Sequence, residues 1–450
     1  TNVRRFIGEG KLPPADAVRV EEMINYFSYD YPEPRGEHPF SITTEVADAP
    51  WNPRHKLALV GLQGRRIPVE NLPPSNLVFL IDVSGSMHDP RKLPLVKAAF
   101  RLLVNQLRDE DRVAITVYAG AAGLVLPPTP GNRKDVILDA IDRLQAGGST
   151  AGAAGIRLAY ATAREHFRRE GNNRVILATD GDFNVGVSSE GELIRIIEAE
   201  RRHGIYLTVL GFGTGNLKDA KMEQLADKGN GHYAYVDNLL EARKVFVQEL
   251  GATLLTIAKD VKLQVEFNPA RVRAYRLVGY ENRVLANEDF NDDAKDAGDL
   301  GAGHSVTALY EIIPAGTPLD VKVGRVDPLK YQRPEGGDDR RAGDSEDWFT
   351  VKLRYKPPAS STSRLLDRVV RGETRSPSAN LRWASAVAGV GMLLRDSEHK
   401  GEATWGRMIA LARGAKGEDP EGYRAEFVRL AETMELLARQ SRGDRDEVRP

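Results

Sequence analysis

Apolar residues in the centre of the chain fall into short uninterrupted runs, which are separated by stretches with helical spacing. The first run, 77–81 (LVFLI), is typical of a strand buried on both faces, as in a parallel sheet covered by helices. Similar strand-like runs follow at 112–118, 174–179 and 205–213. Predicted helices separate these runs, at 92–107, 153–168 and 191–204. Because parallel strands need crossovers of this length, the pattern predicts an α/β fold with a doubly wound, mostly parallel sheet.

The segments on either side of this central part have a different pattern, in which apolar and polar residues partly alternate. Strands are predicted before and after it, at 40–46, 55–64, 261–281, 304–314 and 348–357. We expect these strands to form one composite β-sandwich into which the α/β domain is inserted. Two independent small sheets are the alternative.

Helical periodicity dominates the end of the chain. Apolar residues recur at helical spacing from Trp383 to Leu394 and again from Tyr423 to Leu437, which predicts helices that pack on the strands. The chain is therefore divided into an N-terminal segment with strands of the sandwich (1–74), the α/β domain (75–257), the remainder of the sandwich (258–365) and a C-terminal helical region (366–450).

An aromatic cluster lies near the N-terminus, after a helix predicted at 15–27. Its members are Tyr26, Phe27, Tyr29 and Tyr31. Packing against the neighbouring strands is the favoured interpretation, because large aromatic side chains are usually buried. A binding surface is the alternative.

Oxygen-bearing side chains follow the buried run at 77–81. The strand ends on Asp82, and Ser84 and Ser86 come next at two-residue spacing. Open α/β sheets bind their ligands outside the carboxyl ends of the strands. A carboxylate and two hydroxyls are hard ligands, which suit Mg²⁺, Mn²⁺ or Ca²⁺ and not the soft metals.

This Asp-x-Ser-x-Ser pattern resembles the metal-ion-dependent adhesion signature of von Willebrand factor type A domains, and residues 75–255 resemble that family throughout. The segment GGSTAGAAGI (147–156) looks like the family's second metal loop, with Thr150 in the ligand position. The strand VILATDG ends on Asp180, which matches the third loop and would act directly or through a water. Asp182 would hold a metal-bound water.

The resemblance implies a function in binding. A divalent cation held by one or two carboxylates and neutral hydroxyls stays coordinatively unsaturated, so it accepts a carboxylate from another molecule. We therefore expect a cation-dependent, adhesion-type module that captures an acidic residue of an unidentified protein partner. Mg²⁺ is the expected ion, with Mn²⁺ or Ca²⁺ as alternatives. The second hypothesis is an intracellular adaptor subunit for an AAA-type ATPase or chelatase-like complex, since type A domains also serve such assemblies.

Composition removes several other classes of function. Lys and Arg number 63 against 64 Asp and Glu, so no global field attracts nucleic acid. The absence of cysteine excludes disulfides, thiolate metal sites and thiol nucleophiles. No apolar run approaches the roughly 20 residues that a membrane span needs. The sequence has no G-x-S-x-G or H-E-x-x-H motif, and we expect no enzymatic activity.

The flanking regions indicate a cellular location. Residues 3–34 resemble the short region that precedes the type A domain in a bacterial family of envelope-associated proteins, and 260–445 resemble the domain of unknown function that follows it. The resemblance predicts a place in the cell envelope or outside the cell, in a periplasmic or lipid-anchored form. Because the chain starts at Thr1 and not at Met, we expect a targeting segment to be absent from it.

Overall fold

The computed structural model of the chain describes residues 2–150, 152–181, 190–213, 219–250, 254–279, 298–318, 346–358, 360–372 and 376–447. The α-helices of these residues, in chain order, are α1 (Asn2–Gly8), α2 (Val20–Asn25), α3 (Leu93–Gln106), α4 (Lys134–Asp142), α5 (Gly152–Glu165), α6 (Glu190–Arg202), α7 (Asp219–Lys228), α8 (Leu239–Arg243), α9 (Ala379–Leu394), α10 (Trp405–Ala415) and α11 (Tyr423–Glu447). The strands are β1 (Phe40–Ala49), β2 (Asn52–Gly64), β3 (Ser75–Asp82), β4 (Arg112–Tyr118), β5 (Ala122–Pro130), β6 (Asn172–Thr179), β7 (Ile205–Phe212), β8 (Tyr233–Val236), β9 (Thr256–Phe267), β10 (Val272–Leu277), β11 (Gly298–Gly301), β12 (Ser305–Pro314), β13 (Asp347–Lys356) and β14 (Arg364–Arg371).

A six-stranded sheet in the order β5-β4-β3-β6-β7-β8 forms the central domain. Its neighbouring strands are parallel, except for β4 and β5. Every residue of β3 is buried. Leu77 and Phe79 pack towards α3, α4 and α8, whereas Val78 and Leu80 pack towards α5, α6 and α7. The predicted doubly wound, mostly parallel sheet is confirmed, and its two helical layers explain why the middle of β3, Leu77–Ile81, contains no polar residue.

Two four-stranded sheets lie outside the central domain, in the orders β1-β2-β12-β10 and β11-β9-β13-β14. Strand β2 precedes the central domain and β12 follows it, yet the two pair directly, with Leu59 opposite Leu309. Both sheets contribute to one hydrophobic cluster, which joins Ile42 and Leu62 of the first to Leu353 of the second. The pairing that an inserted domain requires is therefore present, while the composite sandwich and its domain boundaries stay predictions.

The C-terminal helices α9, α10 and α11 enclose the aromatic cluster of the N-terminal segment. Phe27, Tyr29 and Tyr31 are buried, and Phe27 meets Trp383 of α9 with its ring centroid 5.0 Å away. This confirms the packing interpretation for these three residues, whereas Tyr26 is half-buried. No helix among the described residues combines the length and the apolarity that a membrane span requires.

Two helix predictions near the domain ends need correction. The helix predicted at 15–27 is instead a single 3₁₀ turn at Ala15–Ala17, followed by the short α2. The helix is interrupted at Val18, which has an extended backbone with φ −96° and ψ 105° and a fully buried side chain. The prediction also missed α1. The sequence also predicts a helix at 239–257, and the structure has there the short α8, continued by a π-helical turn at Lys244–Gln248.

Candidate metal centre

The first loop of the candidate site follows β3 at the carboxyl edge of the central sheet. Asp82 is fully buried, and its Oδ1 accepts a hydrogen bond from the backbone N–H of Ser84 at 2.9 Å. This bond closes the turn so that the hydroxyls of Ser84 and Ser86 lie 3.1 Å apart, the first buried and the second exposed. Adjacent ligands of an octahedral ion with bonds of about 2.1 Å are about 3.0 Å apart, so the two hydroxyls have the spacing of a ligand pair.

The second loop is held against the first by backbone hydrogen bonds. The N–H of Gly85 donates to the carbonyl of Gly148 at 2.9 Å, and the N–H of Gly147 donates to the carbonyl of Val83 at 2.7 Å. Gly148 has φ +82°, a conformation that favours glycine. Thr150 follows two residues later and is half-buried. The structure therefore places Thr150 in a loop that lies beside Ser84 and Ser86.

The third loop begins where β6 ends, next to β3. Since β3 and β6 are parallel neighbours, Asp82 and Asp180 emerge at the same edge. The hydroxyl of Thr179 lies 3.4 Å from Asp82 Oδ2, and Gly181 turns the chain away with φ +91°. Asp180 is buried, with a side chain 2% exposed. Asp182 lies outside the described residues.

Burial controls the charge state of the site. Loss of solvation raises the pKa of Asp82; the hydrogen bonds from Ser84 oppose this rise, and the negative charge of Asp180 adds to it. The phenol of Tyr118 donates to Asp82 Oδ2 at 3.0 Å. Burial and the neighbouring carboxylate raise the pKa of Tyr118 well above its usual value, so the phenol remains a donor. Asp82 and Asp180 are thus two neighbouring carboxyl groups that are both poorly solvated.

A lysine that sequence reasoning missed completes the cluster. Lys92 Nζ donates to Asp180 Oδ2 at 2.8 Å and to the backbone carbonyl of Ser86 at 3.0 Å. Lys92 is the residue that caps the start of α3. A cation is unfavourable at that end of a helix dipole, so a lysine as the first residue of a predicted helix is a signal that could have drawn notice.

The donor set fits a hard divalent cation. Among the described residues, no three His, Asp or Glu side chains converge as they would in a site of imidazole and carboxylate ligands. The candidate residues instead offer two carboxylates and three hydroxyls, all through oxygen, and they are Asp82, Ser84, Ser86, Thr150 and Asp180. Oxygen ligands with this little charge suit Mg²⁺, Mn²⁺ or Ca²⁺ and leave room for a further anionic ligand.

Family models match most of the chain. Residues 76–248 match the von Willebrand factor type A domain, and 252–437 match the C-terminal domain described as "Uncharacterized protein YfbK, C-terminal". Residues 1–59 match a further model described as "von Willebrand factor".

Individual proteins are similar over different shares of the chain. The uncharacterised protein YfbK of Escherichia coli is 43% identical over 440 residues, which are 96% of this chain and 75% of that protein. The magnesium-chelatase 67 kDa subunit of Chlorobaculum tepidum is 28% identical over 177 residues, or 36% of this chain and 28% of that protein. A solved von Willebrand factor type A protein from Catenulispora acidiphila is 18% identical, with a TM-score of 0.44, and the match covers 86% of this chain and 89% of that one.

Proposed function

Because the chain belongs to the YfbK-like family of von Willebrand factor type A domain proteins, we propose that it is a divalent-cation-dependent protein-binding module. Its partner presents an acidic residue, and the cation at the carboxyl edge of the central sheet binds that carboxylate. The proposed ligands are Asp82, Ser84, Ser86, Thr150 and Asp180.

One observation carries this proposal above the others. Ser84 and Ser86 hold their hydroxyls 3.1 Å apart beside the buried Asp82, and Ser86 is exposed. A cation at this place would have protein ligands on its inner side and open coordination on its outer side. An approaching carboxylate can therefore reach the cation without any rearrangement of β3.

The chemistry proposed is capture and not catalysis. The described residues around the site supply carboxylates, hydroxyls, a phenol kept protonated by burial and an ammonium. We propose that these groups hold and neutralise ions and that no covalent step takes place. When bound, the cation, which we propose to be Mg²⁺, supplies a positive charge for the partner's carboxylate. We also propose that the protein works in the cell envelope or outside the cell.

Partner capture in Mg²⁺ and in EDTA tests the proposal. The immobilised full chain is incubated in separate experiments with a cell-envelope extract and with a cytoplasmic extract, washed in Mg²⁺ and eluted with EDTA. Asp82→Ala removes the carboxylate of the first loop and should retain nothing that EDTA elutes. Asp89→Ala is the matched control, because Asp89 is a nearby carboxylate that is not a proposed ligand and accepts hydrogen bonds from its neighbour Arg91. A partner that Asp82→Ala retains as well as wild type would refute the cation-dependent mode.

A second candidate function is supported by one similarity. The matched part of the magnesium-chelatase subunit corresponds to about a third of this chain, which favours an adaptor subunit for an AAA-type ATPase. In that case the protein eluted by EDTA would be an intracellular ATPase, and its ATP hydrolysis would change when this chain is added. An eluted envelope or extracellular protein supports the first function.

A further inference from the structure

Lys92 places a positive charge inside the cluster of proposed metal ligands. Its Nζ lies 2.8 Å from Asp180 Oδ2 and 3.0 Å from the carbonyl of Ser86, so one ammonium bridges the first and the third loop. The side chain is only 18% exposed. Because the start of a helix repels cations, the attraction of Asp180 must outweigh an unfavourable dipole to keep the ammonium there.

Gly213 lies directly against the stem of Lys92. Gly213 follows β7 with φ +88°, and a Cβ built there would lie 2.7 Å from Cε and 2.8 Å from Cγ of Lys92. Glycine is therefore required at position 213 both by the backbone conformation and by the lysine stem. The phenol of Tyr235 donates a hydrogen bond to the carbonyl of Gly213 and so holds Gly213 beside the lysine stem. The position of the ammonium is thus set by packing as well as by charge.

We propose that Lys92 is a tethered cation that competes with the divalent ion for Asp180 and so sets the affinity of the site. This inference rests on the proposed function, because it assumes that Asp180 belongs to the metal site. In the metal-free protein, Lys92 neutralises Asp180 and keeps the two buried carboxyl groups from repelling each other.

The competition follows from the geometry. Nζ contacts the backbone carbonyl of Ser86 and Oδ2 of Asp180. An ion bound by the hydroxyl of Ser86 and by Asp180 would therefore lie near the ammonium, and the two positive charges would repel. An ion can bind Oδ2 of Asp180 only after Lys92 withdraws from that oxygen. While Lys92 stays, its charge offsets that of Asp180, and less negative charge is left for the ion. A site with so little negative charge binds weakly until a partner's carboxylate completes it.

Manganese binding tests this competition without any partner. Titration of the full chain with Mn²⁺, followed by the electron paramagnetic resonance signal of free Mn²⁺, gives the affinity of wild type and of Lys92→Met. Methionine keeps most of the stem beside Gly213 and removes the charge. We expect roughly ten-fold tighter binding, within the range in which one bound species usually changes the affinity for another. Lys97→Met is the matched control, because Lys97 lies on α3, bonds the carbonyl of Asp142 and changes the net charge equally.

A second readout separates competition from damage to the fold. In EDTA, Lys92→Met should melt below wild type, because two buried carboxyl groups lose their cation, and saturating Mn²⁺ should raise its melting temperature more than that of wild type. Equal or weaker Mn²⁺ binding by Lys92→Met than by wild type overturns the inference and leaves the metal site standing. Absence of Mn²⁺ binding by both proteins removes the proposed metal site, and the inference falls with it.

Discussion

Two clusters of buried charge differ in how their carboxylates are satisfied. At the junction of the N-terminal segment and the central domain, the guanidinium of Arg4 lies 3.3 Å from Asp237 and 3.1 Å from Glu241. Tyr26 donates a further bond to Glu241 at 2.8 Å. At the sheet edge, Lys92 meets Asp180 and the backbone carbonyl of Ser86, and the hydroxyls of Ser84 and Ser86 lie beside this contact.

The chemistry of the two cations distinguishes a structural cluster from one that is suited to a ligand. The planar guanidinium of Arg4 presents its donors to several acceptors at once, which closes the junction cluster. Lys92 carries a compact ammonium on a flexible side chain, so it can leave Asp180 without the loss of several hydrogen bonds in a fixed geometry. Ser86 is exposed as well, so the sheet-edge cluster can exchange its cation, whereas the junction cluster holds its cation as part of the fold.

The largest expected effect is at the junction cluster. Arg4→Met leaves the carboxylates of Asp237 and Glu241 buried without their cation, and should lower the free energy of unfolding by about 3 kcal/mol. Arg5→Met is the control on the same helix, since Arg5 pairs with the exposed Glu9, and it should cost about 0.5 kcal/mol or less. Urea denaturation in EDTA measures both. If both variants lowered the free energy of unfolding equally, Arg4 would be no more structural than an exposed ion pair, and the junction cluster would not be a closed one.

A smaller effect, dependent on pH, is expected at the sheet edge. Burial raises the pKa of Asp82, so the folded chain holds this proton more tightly than the unfolded chain. As pH rises from the ordinary value of 3.8 through the folded pKa, wild type should therefore lose stability relative to Asp82→Asn. Thermal melts of both proteins in EDTA across this window measure the trend. Saturating Mg²⁺ should reverse it, and a difference that does not change with pH would mean that Asp82 titrates normally.

The sequence predicts those parts of the two clusters that are local. Asp82, Ser84 and Ser86 are neighbours in the chain. The run of residues before them is entirely apolar, so the buried strand and the loop that follows it were both predictable. Lys92 and Asp180 are 88 positions apart, and Arg4 and Glu241 are 237 apart. Contacts of this kind arise from the crossovers of the sheet and from the packing of distant segments, which periodicity does not report.

The smallest expected effect is at the second loop. Thr150→Ala removes one half-buried hydroxyl and should change the free energy of unfolding by no more than about 0.5 kcal/mol, because the site is peripheral to the core. It should still weaken Mg²⁺ binding by a few-fold if Thr150 is a ligand. Ser149→Ala is the control at the neighbouring exposed hydroxyl and should leave the affinity unchanged. Calorimetric titration of both variants decides whether the second loop belongs to the open cluster.

Calorimetric titration of the full chain with Mg²⁺ measures directly whether the sheet-edge cluster is a divalent-cation site. We predict binding of one ion to wild type and to Asp89→Ala, and none to Asp82→Ala. Parallel melts in EDTA should show Asp82→Ala folded, because the packed strand β3 does not depend on that carboxylate for its burial. Failure of wild type to bind Mg²⁺, Mn²⁺ or Ca²⁺, or undiminished binding by Asp82→Ala, would contradict the account.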